Sequence, residues 1–158
     1  MSIFDKDANK SEVSKRFLEF QLGKESYAVD LLKVKEVITP PEMTPIPKAA
    51  SYVCGLMNLR GLVLTVVDFR KKLSINPGSD ASQNAVIIFD LGDRLVGAVV
   101  DSVQKVLNIS TDKIKSVPDE GAGKKDHLLG ILQHENKLSI WIDPGSLLDI
   151  PIKNNKVA

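Results

Sequence analysis

The tetrapeptide Phe20-Gln21-Leu22-Gly23 returns as Phe89-Asp90-Leu91-Gly92 about 70 residues later, each time with a strand-like run before it and a glycine turn after it. Val34, Val37 and Ile38 come back as Val103, Val106 and Leu107 at the same offset, and Val29-Asp30 matches Val100-Asp101 once a slip of two residues is allowed. Gly55 to Leu73 then lies on Gly130 to Leu148 at an offset of about 75, sharing Gly55/Gly130, Asp68/Asp143 and Leu73/Leu148. The identities are few, but their order argues for a duplication. A period near 70 is too long for a solenoid unit and suits a small closed barrel of about five strands, which also protects its strand edges. Each half, at roughly 65 residues, is marginal as an independent fold. The expectation is therefore two stacked barrels, subdomain 1 over about 16–75 and subdomain 2 over about 84–150, sharing one core.

Local patterning supports an all-β chain with short helical turns. Leu18, Phe20 and Leu22 alternate with Glu19 and Gln21, the period of a half-buried strand. Tyr27 to Val29, the β-branched run Leu62 to Val67, Ala85 to Leu91, and the alternation of Leu138, Ile140 and Ile142 read the same way. Pro40-Pro41, Pro45, Pro47, Asn76-Pro77-Gly78, Pro118 and Gly121 to Gly123 cut the chain too finely for long helices. Asp68 and Asp143 are expected to cap helical turns over Phe69–Leu73 and Pro144–Leu148, with Pro144 suited to a first helical position. Asp30 and Asp101 are expected to cap turns leading into Val34–Ile38 and Val103–Leu107. Residues 1–15 and 153–158 are polar and aperiodic and are expected to be flexible.

Composition removes several functions. Of 158 residues, 43% are hydrophobic and 26% charged, and 21 Lys+Arg against 20 Asp+Glu leave a net charge of +1. Such a chain closes a core without disulfides or metals, and it has no unipolar field to draw it to phosphate backbones or anionic lipid. No apolar run approaches the roughly 20 residues that cross a bilayer as a helix. One cysteine, Cys54, and no secretory leader point to a reducing cytosol. His127 and His134 have no metal-ligand spacing and are expected on a loop or barrel rim, away from any carboxylate. Gly121-Ala-Gly-Lys-Lys125 lacks the strand before it and the hydroxyl after it that a phosphate loop requires. Asp119-Glu120 reads as a solvated loop. Trp141 fits an interface anchor or core packing equally well. A nucleic-acid-binding barrel is the alternative from another class, opposed by the near-neutral charge and by aromatics at only 5%.

One polar element resists explanation as plain core. Asn58-Leu59-Arg60-Gly61 stands directly before the Leu62–Val67 run, Gly61 allows a positive φ in the turn, and Arg60 needs a partner. Glu36 in the same half is the candidate for a bidentate pair. Together with Phe20-x-Leu22-x4-Tyr27-Ala-Val-Asp30, Val34-Lys-Glu36-Val-Ile38, Pro45-Ile-Pro47, Gly55-Leu-Met-Asn58-Leu-Arg60-Gly61, Val66-Val-Asp68-Phe-Arg70 and Val96-Gly-Ala-Val-Val100-Asp-Ser-Val103, these residues resemble the CheW family of chemotaxis coupling proteins. The resemblance runs from about Arg16 to Ile150 within a domain of 16–152, and Thr65 stands where many members carry proline.

The resemblance implies two five-stranded SH3-like β-barrels around a shared hydrophobic core, no catalysis, no cofactor and no metal. It implies a cytoplasmic adaptor at receptor arrays that joins the helical cytoplasmic tips of methyl-accepting chemoreceptors to the regulatory domain of the histidine kinase CheA, without nucleic acid and without membrane insertion. A scaffold of another chemosensory array, such as one for surface motility, is the alternative within the class. By matching positions, Leu18, Leu31, Val34, Val37, Val100 and Val103 would line a receptor groove between the barrels. Glu36 and Arg60 would form a polar pair near it. Gly55, Asn58, Leu59, Arg60, Gly61, Asp68 and Arg70 make up the family motif, and Ile38, Met43 and Ile114 would touch the kinase.

Overall fold

A computed structural model describes residues 14–76, 84–117 and 127–148. The expected flexible ends (apart from Ser14 and Lys15), Asp119-Glu120 and the Gly121–Lys125 loop lie outside them. The described residues form β1 (Ser14–Leu22), β2 (Glu25–Asp30), β3 (Val34–Ile38), β4 (Val53–Leu59), β5 (Leu62–Asp68), β6 (Ala85–Asp90), β7 (Leu95–Val100), β8 (Ser102–Ser110), β9 (Ile114–Lys115), β10 (Leu128–His134) and β11 (Lys137–Ile142). Two short helices, α1 (Phe69–Lys72) and α2 (Pro144–Leu147), follow β5 and β11. Asp68 caps α1 by accepting from the backbone N–H of Arg70 and Lys71, and Asp143 caps α2 by accepting from Gly145. Of the other two expected turns, the one capped by Asp30 forms and the one at Asp101 does not. Asp30 caps a 3-10 turn, Leu31–Lys33, that leads into the strand Val34–Ile38, whereas Asp101 is followed directly by the strand Ser102–Ser110, as its β-branched residues favour.

The strands make two sheets, and neither coincides with a contiguous half of the chain. Barrel one has the order β3-β6-β7-β5-β4 and barrel two the order β8-β1-β2-β11-β10-β9, so each is SH3-like in size, with the two-residue β9 an extra edge in barrel two. The hairpin β1–β2 of the first half sits in the second half's barrel, and the hairpin β6–β7 sits in the first half's. The boundaries expected at 16–75 and 84–150 therefore mark the sequence repeat and not the barrels. The exchange is reciprocal. Both donated hairpins join the receiving sheet through a parallel pairing, β2 with β11 and β7 with β5, every other contact between neighbouring strands being antiparallel.

Strand register also corrects the alignment of the repeat. Leu18 pairs with Val29 as Ile87 pairs with Ala98, and Ile140 pairs with Tyr27 as Thr65 pairs with Val96, so Val29 is the counterpart of Ala98 and not of Val100. No slip is needed. The shared Val-Asp is coincidental, because cross-strand pairing fixes which residues face the core.

Exchange places the main core between the barrels. Leu18, Phe20 and Leu22 on one face of β1 meet Val67, Phe69, Ile87, Phe89, Ala98 and Val100, and Phe69 lies 6.1 Å from Phe20 and 5.9 Å from Phe89 between ring centroids. Each of the larger of these buried side chains is worth about 1.5–3 kcal/mol, and the cluster draws on both halves of the chain. Smaller cores fill each barrel: Met57, Leu59, Leu64, Val66, Val86, Ile88 and Val99 in barrel one, and Phe17, Ala28, Leu107, Ile109 and Leu132 in barrel two.

Candidate functional site

At one end of barrel one the β4–β5 turn folds over the edge strand β3. Arg60 and Gly61 have φ of 53° and 92°, the two positive values of a tight primed hairpin turn, and Asn58 Oδ1 accepts from Gly61 N at 2.9 Å. Arg60 donates to both carboxylate oxygens of Glu36, Nη1 to Oε2 at 2.5 Å and Nη2 to Oε1 at 3.0 Å. The hydrogen bond from Arg60 holds the Glu36 carboxyl below the usual carboxylate range. This fork ties the turn to β3 and fixes its register. Beside it stand Leu62, Val63 and Val37, with Val63 65% exposed. The turn is thus hydrogen-bonded in place and carries exposed apolar side chains next to one another.

The groove residues expected from matching positions do not share one surface. Leu18, 6% exposed, and Val100, 0% exposed, are enclosed in the central core, because the exchanged strands bury both faces there. The space between the barrels is filled by the protein's own side chains. Leu31, Val34 and Val103 are half-buried against that core, and Val37 is exposed. Ile38 and Met43 lie half-buried against the core of barrel one and Ile114 against that of barrel two. Sequence reasoning missed Leu32, which is 89% exposed on the 3-10 turn that Asp30 caps through the Leu32 N–H at 3.0 Å. A recess of about 260 Å³ lies beside it, lined by Ser14, Lys15, Arg16, Asp30, Leu31 and Leu32. It also missed Leu62 and Val63, whose only signal was their place just after the glycine turn.

The duplication gives barrel two a related face with its charges reversed. Lys105 occupies the counterpart of Glu36 and Glu135 that of Arg60, and they pair at 3.1 Å. Val106 answers to Val37 and Leu138, 60% exposed, to Val63. Glu135 and Asn136 repeat the two positive φ values, 49° and 60°.

Two buried polar groups hold the interior. Arg70 donates to Asp68 (Nε to Oδ1 3.0 Å, Nη2 to Oδ2 3.1 Å) and to Asp101 Oδ1 at 2.8 Å, while Asp101 Oδ2 accepts from Gly23 N at 2.7 Å. Asp101 thus caps the β1–β2 hairpin instead of a helix. In barrel two, Glu19 Oε2 accepts from Ser26 Oγ at 2.7 Å, Ser139 Oγ at 3.2 Å and Lys137 Nζ at 3.1 Å, with His134 Nε2 3.6 Å away. The expectation that no histidine approaches a carboxylate is therefore wrong for His134. The same ring nitrogen faces both Ser139 Oγ, at 3.1 Å, and Glu19, so the imidazole does not bridge hydroxyl and carboxylate as a catalytic triad requires. Trp141 is core packing, edge-on to Phe17 at 5.2 Å between centroids with Lys15 Nζ 5.5 Å from its ring centre.

Burial pushes the Glu19 carboxyl up, but the Ser26 hydroxyl, Lys137 and Ser139 together bring it below its ordinary 4.5. A lowered folded-state value contributes stability that is present above the ordinary value and is lost as the pH falls through the folded one. Urea melts are expected to show the stability difference between wild type and Glu19→Gln shrinking as the pH drops below 4.5. A difference that stays constant down to pH ~3 would exclude an ionised Glu19.

Among the described residues no three His, Cys, Asp or Glu side chains gather as a metal site, and no helix is long and apolar enough to cross a membrane. Interlocked SH3-like barrels with an ion-paired turn at the end of each define the class of fold, and comparison with known proteins gives the family. The family model of the CheW-like domain matches residues 16–151. The chain is 32% identical to the chemotaxis protein CheW of Klebsiella aerogenes over 137 residues, 86% of this chain and 82% of that one. It is 30% identical to that of Bacillus subtilis over 140 residues, 87% and 89% of the two chains. The crystal structure of the scaffolding protein TtCheW from Thermoanaerobacter tengcongensis superposes with a TM-score of 0.80 at 27% identity, covering 87% of this chain and 94% of that one. This chain belongs to the CheW family.

Proposed function

We propose that this chain is a non-catalytic cytoplasmic adaptor that couples methyl-accepting chemoreceptors to the histidine kinase CheA. The observation that carries the reading is the rigid apolar end of barrel one in a chain of this family: Val37, Leu62 and Val63 exposed beside a turn that the Glu36–Arg60 fork locks in place. In this reading the receptor's helical tip lies along Leu31, Leu32, Val34, Val37 and Val103 on the outer surface rather than in a cleft between the barrels. Leu18 and Val100 support that surface from beneath. Ile38, Met43 and Ile114, with the exposed Leu138, serve the barrel ends where the kinase's regulatory domain docks. Apolar anchors supply the affinity and the charged pairs set register. Signalling needs no chemistry in the adaptor, because a rigid body bound to both partners passes a change in one interface to the other as coupling free energy of about 1–3 kcal/mol.

Leu32→Lys/Val37→Lys tests this, since both side chains are exposed and the fold has little stake in them. The double variant is expected to keep its circular dichroism and melting temperature and to lose capture by receptor cytoplasmic fragments at least tenfold, a cost of about 1.4 kcal/mol or more. Capture at the wild-type level by the folded variant would refute the receptor surface. For the fork, a double-mutant cycle of Glu36→Ala and Arg60→Ala on binding is expected to be non-additive, and additive losses would show the pair to be uncoupled.

A further inference from the structure

The duplication supplies an internal control for the polar cluster of barrel two. By strand register the counterparts of Glu19, Ser26, His134 and Ser139 in barrel one are Ile88, Leu95, Leu59 and Leu64. All four are apolar, and all belong to or pack against that barrel's core. The same fold thus closes with an oily interior in one barrel and, in the other, around a carboxylate that is 0% exposed. Geometry does not require the cluster. Its satisfaction is also incomplete: Glu19 Oε1 and His134 Nδ1 are buried with no hydrogen-bond partner in the protein. Hydrogen bonds that favour an ionised Glu19 over a protonated one do not make it as stabilising as an apolar side chain in the same place, and buried ionic groups commonly lose that comparison.

We propose that the Glu19–Ser26–His134–Ser139 cluster makes barrel two the yielding half of the molecule, in which the β10–β11 hairpin parts from β1–β2 more readily than its counterpart β4–β5 parts from β6–β7. The cluster sits across the seam where the donated hairpin meets the receiving strands, Glu19 and Ser26 on one side, His134, Lys137 and Ser139 on the other. Lys137 is already 44% exposed, and opening there lets the buried Glu19 carboxylate complete with water the hydrogen bonds the protein leaves unmade, an option that apolar barrel one does not have. Barrel one, with its fork and dry core, stays fixed. An adaptor held at both ends passes on a movement more readily when one half can adjust while the other keeps its register; that consequence rests on the adaptor reading, whereas the difference between the barrels does not.

Native-state amide hydrogen exchange of the full chain at pH 7 tests it. After correction for intrinsic rates, amides of Leu128–His134 and Lys137–Ile142 are expected to exchange about tenfold or more faster than matched amides of Val53–Leu59 and Leu62–Asp68. Equal protection of the two hairpins overturns the proposal. Replacing the cluster with its counterparts, Glu19→Ile/Ser26→Leu/His134→Leu/Ser139→Leu, is expected to bring the β10–β11 amides to within about threefold of β4–β5, and a gap that persists in the folded variant also overturns it. Should that variant not fold, wild-type exchange between pH 7 and pH ~3, which spans the lowered range of Glu19, decides. Glu19 is faced by Lys137 and His134, and the outer Lys105–Glu135 pair stands at the same turn, opposite Glu36–Arg60 in barrel one. The gap must widen as the buried carboxylate takes up its proton, and one independent of pH contradicts the proposal.

Discussion

Arg70→Met is expected to cost about 3–5 kcal/mol of folding stability, among the largest effects of any single polar substitution in the chain. The guanidinium is nearly buried and holds two nearly buried carboxylates, Asp68 through two of its nitrogens and Asp101 through a third. Removing it takes from two nearly buried carboxylates the guanidinium that they share, a far greater loss than a surface pair would show. The site joins pieces remote in sequence: Asp68 closes β5 and caps α1, while Asp101 follows β7 and holds the Gly23 N–H of the β1–β2 hairpin. Loss of Arg70 therefore loosens the exchange of hairpins itself. Arg70→Lys is expected to recover little, because a single ammonium cannot reproduce three directed hydrogen bonds. Urea denaturation at pH 7 measures both, and a loss below ~1 kcal/mol for Arg70→Met would show that the guanidinium is not the tie between the halves.

Gly55→Ala is expected to cost about 2–4 kcal/mol, although it adds a single methyl group. A Cβ at residue 55 would collide with the Thr44 carbonyl oxygen and press on the Pro45 backbone, neither of which can rotate away, and φ of 146° is itself unfavourable for alanine. Thr44 must come this close because it bridges Leu56 from outside the sheet, exchanging two backbone hydrogen bonds of 2.8 Å. Gly130 answers to Gly55, and its absent Cβ would lie 2.9 Å from the Lys115 carbonyl oxygen, where β9 pairs with β10. Gly61→Ala is the control. No atom lies within 4 Å of its added Cβ, so only the positive φ penalises it, by about 1–2 kcal/mol. Equal losses at 55 and 61 in thermal melts would mean that steric approach of Thr44 does not decide the matter.

These residues also show how far the sequence could be read. The repeat, its two capping aspartates and the glycine turn were legible because each reflects local chemistry: an N-cap bond, a positive φ, an alternation of period two. The hairpin exchange was not legible, because an identity between Phe20 and Phe89 is the same whichever barrel receives the strand that carries it. Val29-Asp30 misled for a related reason, since two matching letters do not outweigh the register that a hairpin imposes on its whole length. Asp101 reads as a helix cap until Arg70 and Gly23 are seen to claim both of its oxygens. The Glu19–His134 approach joins opposite ends of the sequence through β2 and β11, a contact that only tertiary pairing creates. Burial on both faces of β1 and β7 is what removes Leu18 and Val100 from the surface, and period-two reasoning assigns each strand only one buried face.

The adaptor account is tested most directly by reconstitution. CheA kinase and the cytoplasmic signalling fragment of a chemoreceptor from the same bacterium are mixed with ATP, with and without this chain, and kinase autophosphorylation is followed as the receptor fragment is titrated. The account predicts that kinase activity responds to the receptor only when the chain is present, and that the chain sediments with both. A kinase that answers the receptor equally well without the chain, or a chain that sediments with neither, would contradict it.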